Sequence, residues 1–334
     1  MKKIFITGVA GFLGSHLADY LLKQGHTVAG CDNLFGGSLV NVNPQVEFYN
    51  HDITKLDGFA DIMNGCDVVI ATAAAAYEGV SVFAPGFICE NIFTGSVNTF
   101  TAAIQAGAKR IVYCSSMARY GTNETPFLEN YIPNPQDPYG IAKEAAERVL
   151  INLSETHDLE YVIAVPHSIY GPRQKYDDPY RNVASIMANL MLQGRAPIIY
   201  GDGEQRRCFS YITDCVGVIA AMATEKDVVG EIINIGPDEE FISVKELASK
   251  LSNIIGCNLE PIYVEDRPRE VKLATCSADK ARKLLGYETT VFIDDGLKKL
   301  VDWIKEQGPK PFEYHFDVEI KNKHLPKTWR DRLI

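Results

Sequence analysis

The chain has 334 residues, a formal net charge of -10, 46% hydrophobic and 23% charged residues. That composition excludes a disordered or fibrous chain, and the acidic balance argues against a nucleic-acid partner, which needs a basic face. A polyanionic small molecule remains admissible, because a few arginines and a helix N-terminus suffice locally. From the N-terminus, Lys2-Lys3 followed by Ile4–Leu13 imitates the start of a signal peptide. A strand, a glycine turn and a helix explain the same residues better: strand Lys3–Thr7, then a helix over Gly11–Lys23. Gly8, Gly11 and Gly14 fill that turn. A tight turn, a close backbone approach to a pyrophosphate and close helix–sheet packing each call for a residue without a side chain.

A second strand over Thr27–Cys31 leads to Asp32, 18 residues after Gly14. A carboxylate there accepts hydrogen bonds from adenosine ribose hydroxyls and repels a 2′-phosphate, so NAD is expected over NADP. An ordinary turn at Asp32-Asn33 is the structural alternative. After a third strand over Val46–Tyr49, Asp52-Ile53 is placed to hold the adenine edge, again with a plain turn as the alternative. Strands at Val68–Ala71, Arg110–Cys114 and Tyr161–Val165 alternate with helical patterns at Asn91–Ala106 and Tyr139–Thr156. Strands apolar throughout, alternating with helices, predict an α/β fold with a doubly wound parallel sheet.

Tyr139 and Lys143 are four residues apart on their helix and share a face. A phenol is a weak base at neutral pH, and a neighbouring ammonium together with a positive nicotinamide would lower its pKa. The pair follows Asp137-Pro138, a helix start, one strand after Cys114-Ser115-Ser116. Beyond residue 166 the rhythm breaks. Gln174–Arg181 is a polar excursion, Pro197–Cys208 reads as loop, and helices are expected at Val183–Gln193, Val244–Ile255, Ala278–Leu285 and Ile293–Glu306. The tail from Gln307 carries no assignment. The eight cysteines are scattered without a C-x-x-C pair, so neither a metal site nor a disulfide framework is expected. No apolar run reaches the ~20 residues of a membrane span.

These motifs together resemble the extended short-chain dehydrogenases, above all the nucleotide-sugar epimerases and dehydratases, nearest the UDP-glucose 4-epimerase-like members. The resemblance covers nearly the whole chain. It rests on Thr7–Gly14, Asp32-Asn33, Ser115–Gly121, Pro138–Lys143, Tyr170–Gln174 and Gly201-Asp202-Gly203. It implies a Rossmann-type NAD-binding domain over residues 1–166. A smaller α/β domain over 167–334 would mainly bind the nucleotide-sugar, with some segments returning to the first domain. By that match Ser116 is the catalytic hydroxyl, Tyr139 the acid/base and Lys143 the ribose ligand. Phe12, Leu13, Asn33, Ala73 and Asn91 are implied to lie beside the cofactor. Ser168, Arg207 and Arg267 are implied to face the substrate, the two arginines on its diphosphate.

Relatives that dehydrate a keto sugar carry an acidic pair after the serine, and decarboxylating relatives a glutamate; here stand Met117 and Ala118. The resemblance therefore implies a nucleotide-sugar 4-epimerase, most simply of a UDP-hexose, in a cytoplasmic homodimer built on the helices Asn91–Ala106 and Tyr139–Thr156. Three departures, Ala71-Thr72-Ala73-Ala74 for the usual His-Leu-Ala-Ala, Arg119 for a small apolar residue and Ser168 for an asparagine, leave open a C4 dehydrogenase of a UDP- or GDP-linked sugar. A non-catalytic NAD sensor is a remoter alternative, since it would lack the Tyr/Lys pair. His167, alone near a strand end, reads as structural.

Overall fold

The computed structural model describes residues 1–334. Strands β1 (Lys3–Thr7), β2 (Thr27–Asp32), β3 (Glu47–Asn50), β4 (Val68–Ala71), β5 (Arg110–Cys114) and β6 (Glu160–Pro166) match the expected strands to within one residue. All residues of β4 and β5 are buried, as a sheet covered on both faces requires. Helices α1 (Phe12–Lys23), α2 (Phe59–Ile62), α3 (Pro85–Cys89), α4 (Gly95–Gln105) and α5 (Pro138–His157) connect them.

The second half supplies β7 (Ile169–Tyr170), α6 (Val183–Leu192), β8 (Ile198–Tyr200), β9 (Arg206–Arg207), β10 (Ser210–Tyr211), α7 (Ile212–Ala221) and β11 (Ile232–Ile235). Beyond these lie β12 (Ile242–Ser243), α8 (Val244–Ile255), β13 (Ile262–Val264), β14 (Leu273–Ala274), α9 (Asp279–Leu285), α10 (Ile293–Gln307) and α11 (Lys327–Arg330). The main sheet is parallel, in the order β11-β6-β5-β4-β1-β2-β3. Its seventh strand thus comes from the second half of the chain, with Ile232–Ile235 registered against Ile163–Pro166. No helix is long and apolar enough to cross a membrane.

Three local expectations need correction. The helix expected over Asn91–Ala106 starts earlier, at Pro85, and its Glu90–Thr94 turn is π-helical. The stretch Pro197–Cys208, read as loop, contains β8, which pairs with β13, and β9, which lies between β12 and β14. Two- and three-residue strands leave no alternation long enough to see. Helix α7, for which no helix was expected, packs its buried Cys215, Val218 and Ile219 into the same cluster as Leu17 and Leu21 of α1.

Candidate active site

The strand order reverses between β4 and β1, and a crevice opens outside the carboxyl ends of those strands. A cleft of about 490 Å³ runs from there past Ser116, Tyr139 and Lys143 to Arg207 and Arg267. At its first end Gly8 holds φ at +74°, and a side chain on it would stand 2.9 Å from the Ala73 Cα. A side chain on Gly14 would run into the Gly8 carbonyl oxygen, so α1 can approach the sheet this closely only with glycine. Gly11 caps α1 without a side-chain acceptor, which leaves the first-turn N–H groups and the positive end of the helix dipole to an anion.

Asp32 accepts the Leu34 N–H at 2.7 Å through Oδ1 and the Ala10 N–H at 3.2 Å through Oδ2. Burial pushes its carboxyl above the ordinary range, against those donors. The glycine cradle, the uncapped helix end and a carboxylate one strand away fit a dinucleotide. Phe12, Leu13, Asn33, Ile53, Ala73 and Asn91 also line the cleft. Asn91 lies on the π-helical turn, its Nδ2 donating to the Phe87 carbonyl at 2.9 Å. Asp52 is the candidate that the fold does not bring to the cleft wall. Its Oδ1 instead accepts the Thr54 N–H at 2.9 Å, the plain turn weighed as the alternative.

At the centre, Ser116 lies two residues past β5 and caps a short turn, its Oγ accepting the Ala118 N–H at 3.2 Å. Helix α5 starts beside it because Asp137 caps Gly140 at 2.9 Å and Pro138 occupies the first turn. Tyr139 and Lys143 follow on that helix, both buried. Burial pushes the Tyr139 phenol up, and the groups that oppose it are Ser116 and Arg181 rather than Lys143. The Lys143 ammonium is held elsewhere: Nζ donates to the Cys114 carbonyl at 2.7 Å and lies 5.0 Å from the Tyr113 ring centre. Burial brings Lys143 down to about 8. Asp137 is pushed up to about 7 by burial and by the nearby Glu78 carboxylate.

Arg119, one of the departures noted in the sequence, and His167 both lie off the cleft wall. Arg119 is buried and pairs with the equally buried Glu147 at 2.9 Å, while Glu147 also accepts the Ser115 hydroxyl. His167 packs away from the cleft, its Nε2 2.9 Å from the Pro237 carbonyl, in the structural role its isolation suggested.

At the far end Arg207 donates through Nη1 to the carbonyls of Arg206 and Lys272 at 2.8 and 3.1 Å, and through Nη2 to that of Val271. No carboxylate pairs with it. Arg267 pairs with Glu270 and lies 4.9 Å from the Tyr200 ring centre, with a buried Nε that has no partner. Ser168, at φ +44°, lines the cleft between the two ends. Sequence reasoning missed Glu78, Arg181, Trp329 and Ile334, which also form the wall. They lie in loops and in the tail, where no period or motif marks them; Asp137 was visible as a helix start but not as a wall residue.

The family model for the NAD dependent epimerase/dehydratase family matches residues 4–236. A provisionally named UDP-glucose 4-epimerase of Methanocaldococcus jannaschii is 35% identical, over 91% of this chain and 99% of its own. The solved UDP-glucose 4-epimerase of Thermotoga maritima with UDP-glucose superposes with a TM-score of 0.85 at 32% identity, covering 91% of this chain and 99% of its own. UDP-glucuronic acid 4-epimerase of Bacillus cereus, solved with UDP-glucuronic acid and NAD, gives 0.84 at 30% identity, covering 92% and 100%. With the cradle, the Ser/Tyr/Lys centre and this breadth of match, the chain belongs to the NAD dependent epimerase/dehydratase family.

Proposed function

We propose that this chain is an NAD-dependent nucleotide-sugar 4-epimerase, acting on a UDP-hexose through a transient 4-keto sugar. The observation that carries the reading is one cleft holding Ser116, Tyr139 and Lys143 between the glycine cradle and two arginines, with Met117 and no carboxylate after the serine. The asparagine, glycine and carboxylate positions of the first end hold NAD in preference to NADP through Asp32. NAD bound there supplies reversible hydride acceptance from the sugar C4. Tyr139 Oη takes the proton of the C4 hydroxyl and later returns it. Ser116 donates a hydrogen bond to the same oxygen as charge develops on it. Lys143 holds the nicotinamide ribose and contributes its positive charge to the pocket. Arg207 and Arg267 grip the substrate diphosphate, and Ser168 faces the sugar. Asp137, although it lines the cleft, is engaged as the cap of α5.

In this reading residues 1–166 serve the cofactor and 167–334 mainly the nucleotide-sugar. The protein works in the cytoplasm as a homodimer formed through α4 and α5, whose outer surface includes the exposed Ile141. The test follows the hydride. Purified enzyme should convert a UDP-hexose to its C4 epimer over many turnovers without net NADH, and Tyr139→Phe should lower the rate by about 10²–10⁴-fold. One NADH per turnover with a released keto sugar, and no epimer, would replace the epimerase by a C4 dehydrogenase.

A further inference from the structure

Arg181 belongs to the loop between β7 and α6, yet its guanidinium reaches the loop that follows β2. A side chain on Gly36 would stand 2.5 Å from its Nη2, so the glycine leaves the space that the guanidinium enters. The cation lies 4.4 Å from the Tyr77 ring centre. The carboxylate beside it, Asp178, is 3.6 Å from Nε and is already engaged by the Tyr77 hydroxyl at 2.8 Å. Nε is buried and makes no hydrogen bond. Arg181 lines the cleft, and its charge favours the ionised form of Asp32 on one side and of Tyr139 on the other.

A dinucleotide with its adenosine ribose at Asp32 and its reacting ring at Tyr139 has its diphosphate between those two residues. Arg181 lines the cleft between them, held by Tyr77 and by a long, shared carboxylate contact, with a buried Nε that has no hydrogen-bond partner. A guanidinium so placed suits a diphosphate, which it can meet through two parallel N–H groups. The α1 N-terminus lines the same cleft, as do Arg207 and Arg267, which are assigned to the substrate.

We propose that Arg181 is a cofactor clamp: its guanidinium binds the diphosphate of the dinucleotide and joins the loop 33–37 to the loop 171–182 across it. The clamp rests on NAD as cofactor and not on which reaction follows. It also bears on that reaction, because an epimerase needs its dinucleotide retained between the two hydride transfers. A nucleotide-sugar carries the same diphosphate, so the two sources have to be separated by titration.

Calorimetric titration of the protein freed of cofactor would compare wild type, Arg181→Ala and Arg181→Lys with NAD, ADP-ribose, AMP and UDP as probes. The alanine variant should lose tenfold or more in affinity for NAD and ADP-ribose and should release NAD faster. AMP, which lacks the diphosphate, and UDP should bind as in wild type, which also reports that the variant is folded. Lysine should restore part of the loss, as a point charge without the fork. Unchanged NAD affinity in Arg181→Ala overturns the clamp, as does a loss confined to UDP, which would hand Arg181 to the substrate. Wild-type protein with no affinity for NAD would instead overturn the cofactor assignment beneath it.

Discussion

Arg119 shows how one residue can be conspicuous in a sequence and still not interpretable there. Its position beside the catalytic serine is plain from the spacing, but its partner, Glu147, is 28 residues on and one helical turn past Lys143. The pair ties the turn after β5 to α5, with Ser115 hydrogen-bonded to the same carboxylate, so the loop bearing Ser116 and the helix bearing Tyr139 are fixed to each other. Both side chains are at most 4% exposed. Removing one partner of such a pair leaves an uncompensated charge in the core, at a cost of about 3–5 kcal/mol. Arg119→Met is therefore expected to lose about that much stability in urea unfolding. The double variant Arg119→Met/Glu147→Met should lose less than the single one, because no charge is left alone. A double variant less stable than Arg119→Met would contradict the pairing. Tyr139 and Lys143, by contrast, were legible because helix geometry alone puts residues four apart on one face.

At the scale of elements, α5 is where capping and catalysis meet. Asp137 starts the helix, and its carboxylate also faces the cleft two residues before Tyr139. Burial and Glu78 hold it at about 7, far above the ordinary ~3.9 of an aspartate. Between those two values the folded protein binds more protons here than the unfolded chain does. Stability contributed by this group is thus present at low pH and lost as pH rises through about 7. Asn caps helices as well as Asp does. Asp137→Asn should consequently gain in melting temperature relative to wild type as pH rises from about 4 to above 7, with the capping bond kept. Removing that negative charge also lowers the Tyr139 pKa, since Asp137 is among the groups that raise it. The acid limb of the pH–rate profile should move to lower pH. A constant melting difference from pH 4 to 8 would show that the carboxyl titrates normally.

The same scale explains what else could be read. The central strands were visible because each is apolar along its length, and α8 and α10 because apolar residues recur on one face. Strands β8 and β9 were missed because they are too short to alternate. The dinucleotide end of the cleft was legible for a related reason. Its three glycines are neighbours in sequence, in one strand–turn–helix unit, whereas Arg181, Glu78 and Trp329 reach the cleft through tertiary packing that no local pattern encodes.

For the whole molecule, the tail is the segment the sequence left blank, and it closes the cleft. Trp329 is 5% exposed and packs with its ring centre 5.5 Å from Tyr180, 6.0 Å from Tyr200 and 6.4 Å from Phe83. Its cluster also contains Tyr77, Tyr139, Leu190, Val318, Leu325 and Ile334, so both halves of the chain and the tail share one core around the site. The largest cluster likewise runs from Ile4 in β1 to Leu297 and Ile304 in α10. Strand β11 joins the same halves through backbone, along β6. Unfolding of residues 167–334 alone would strip the edge of the main sheet and expose both shared cores, so the two halves should not melt separately. Scanning calorimetry is expected to give one transition whose calorimetric and van't Hoff enthalpies agree. Trp329→Ala removes a large buried side chain, a change that typically costs about 3–5 kcal/mol. It should lower the single transition without splitting it. It should also raise KM for the nucleotide-sugar more than it lowers kcat, because Trp329 lines the cleft beside Gly79 together with Arg267, a residue assigned to the substrate diphosphate. Two resolved transitions in the native protein, or a second one appearing only in Trp329→Ala, would show instead that the halves are separate folding units held together at the tail.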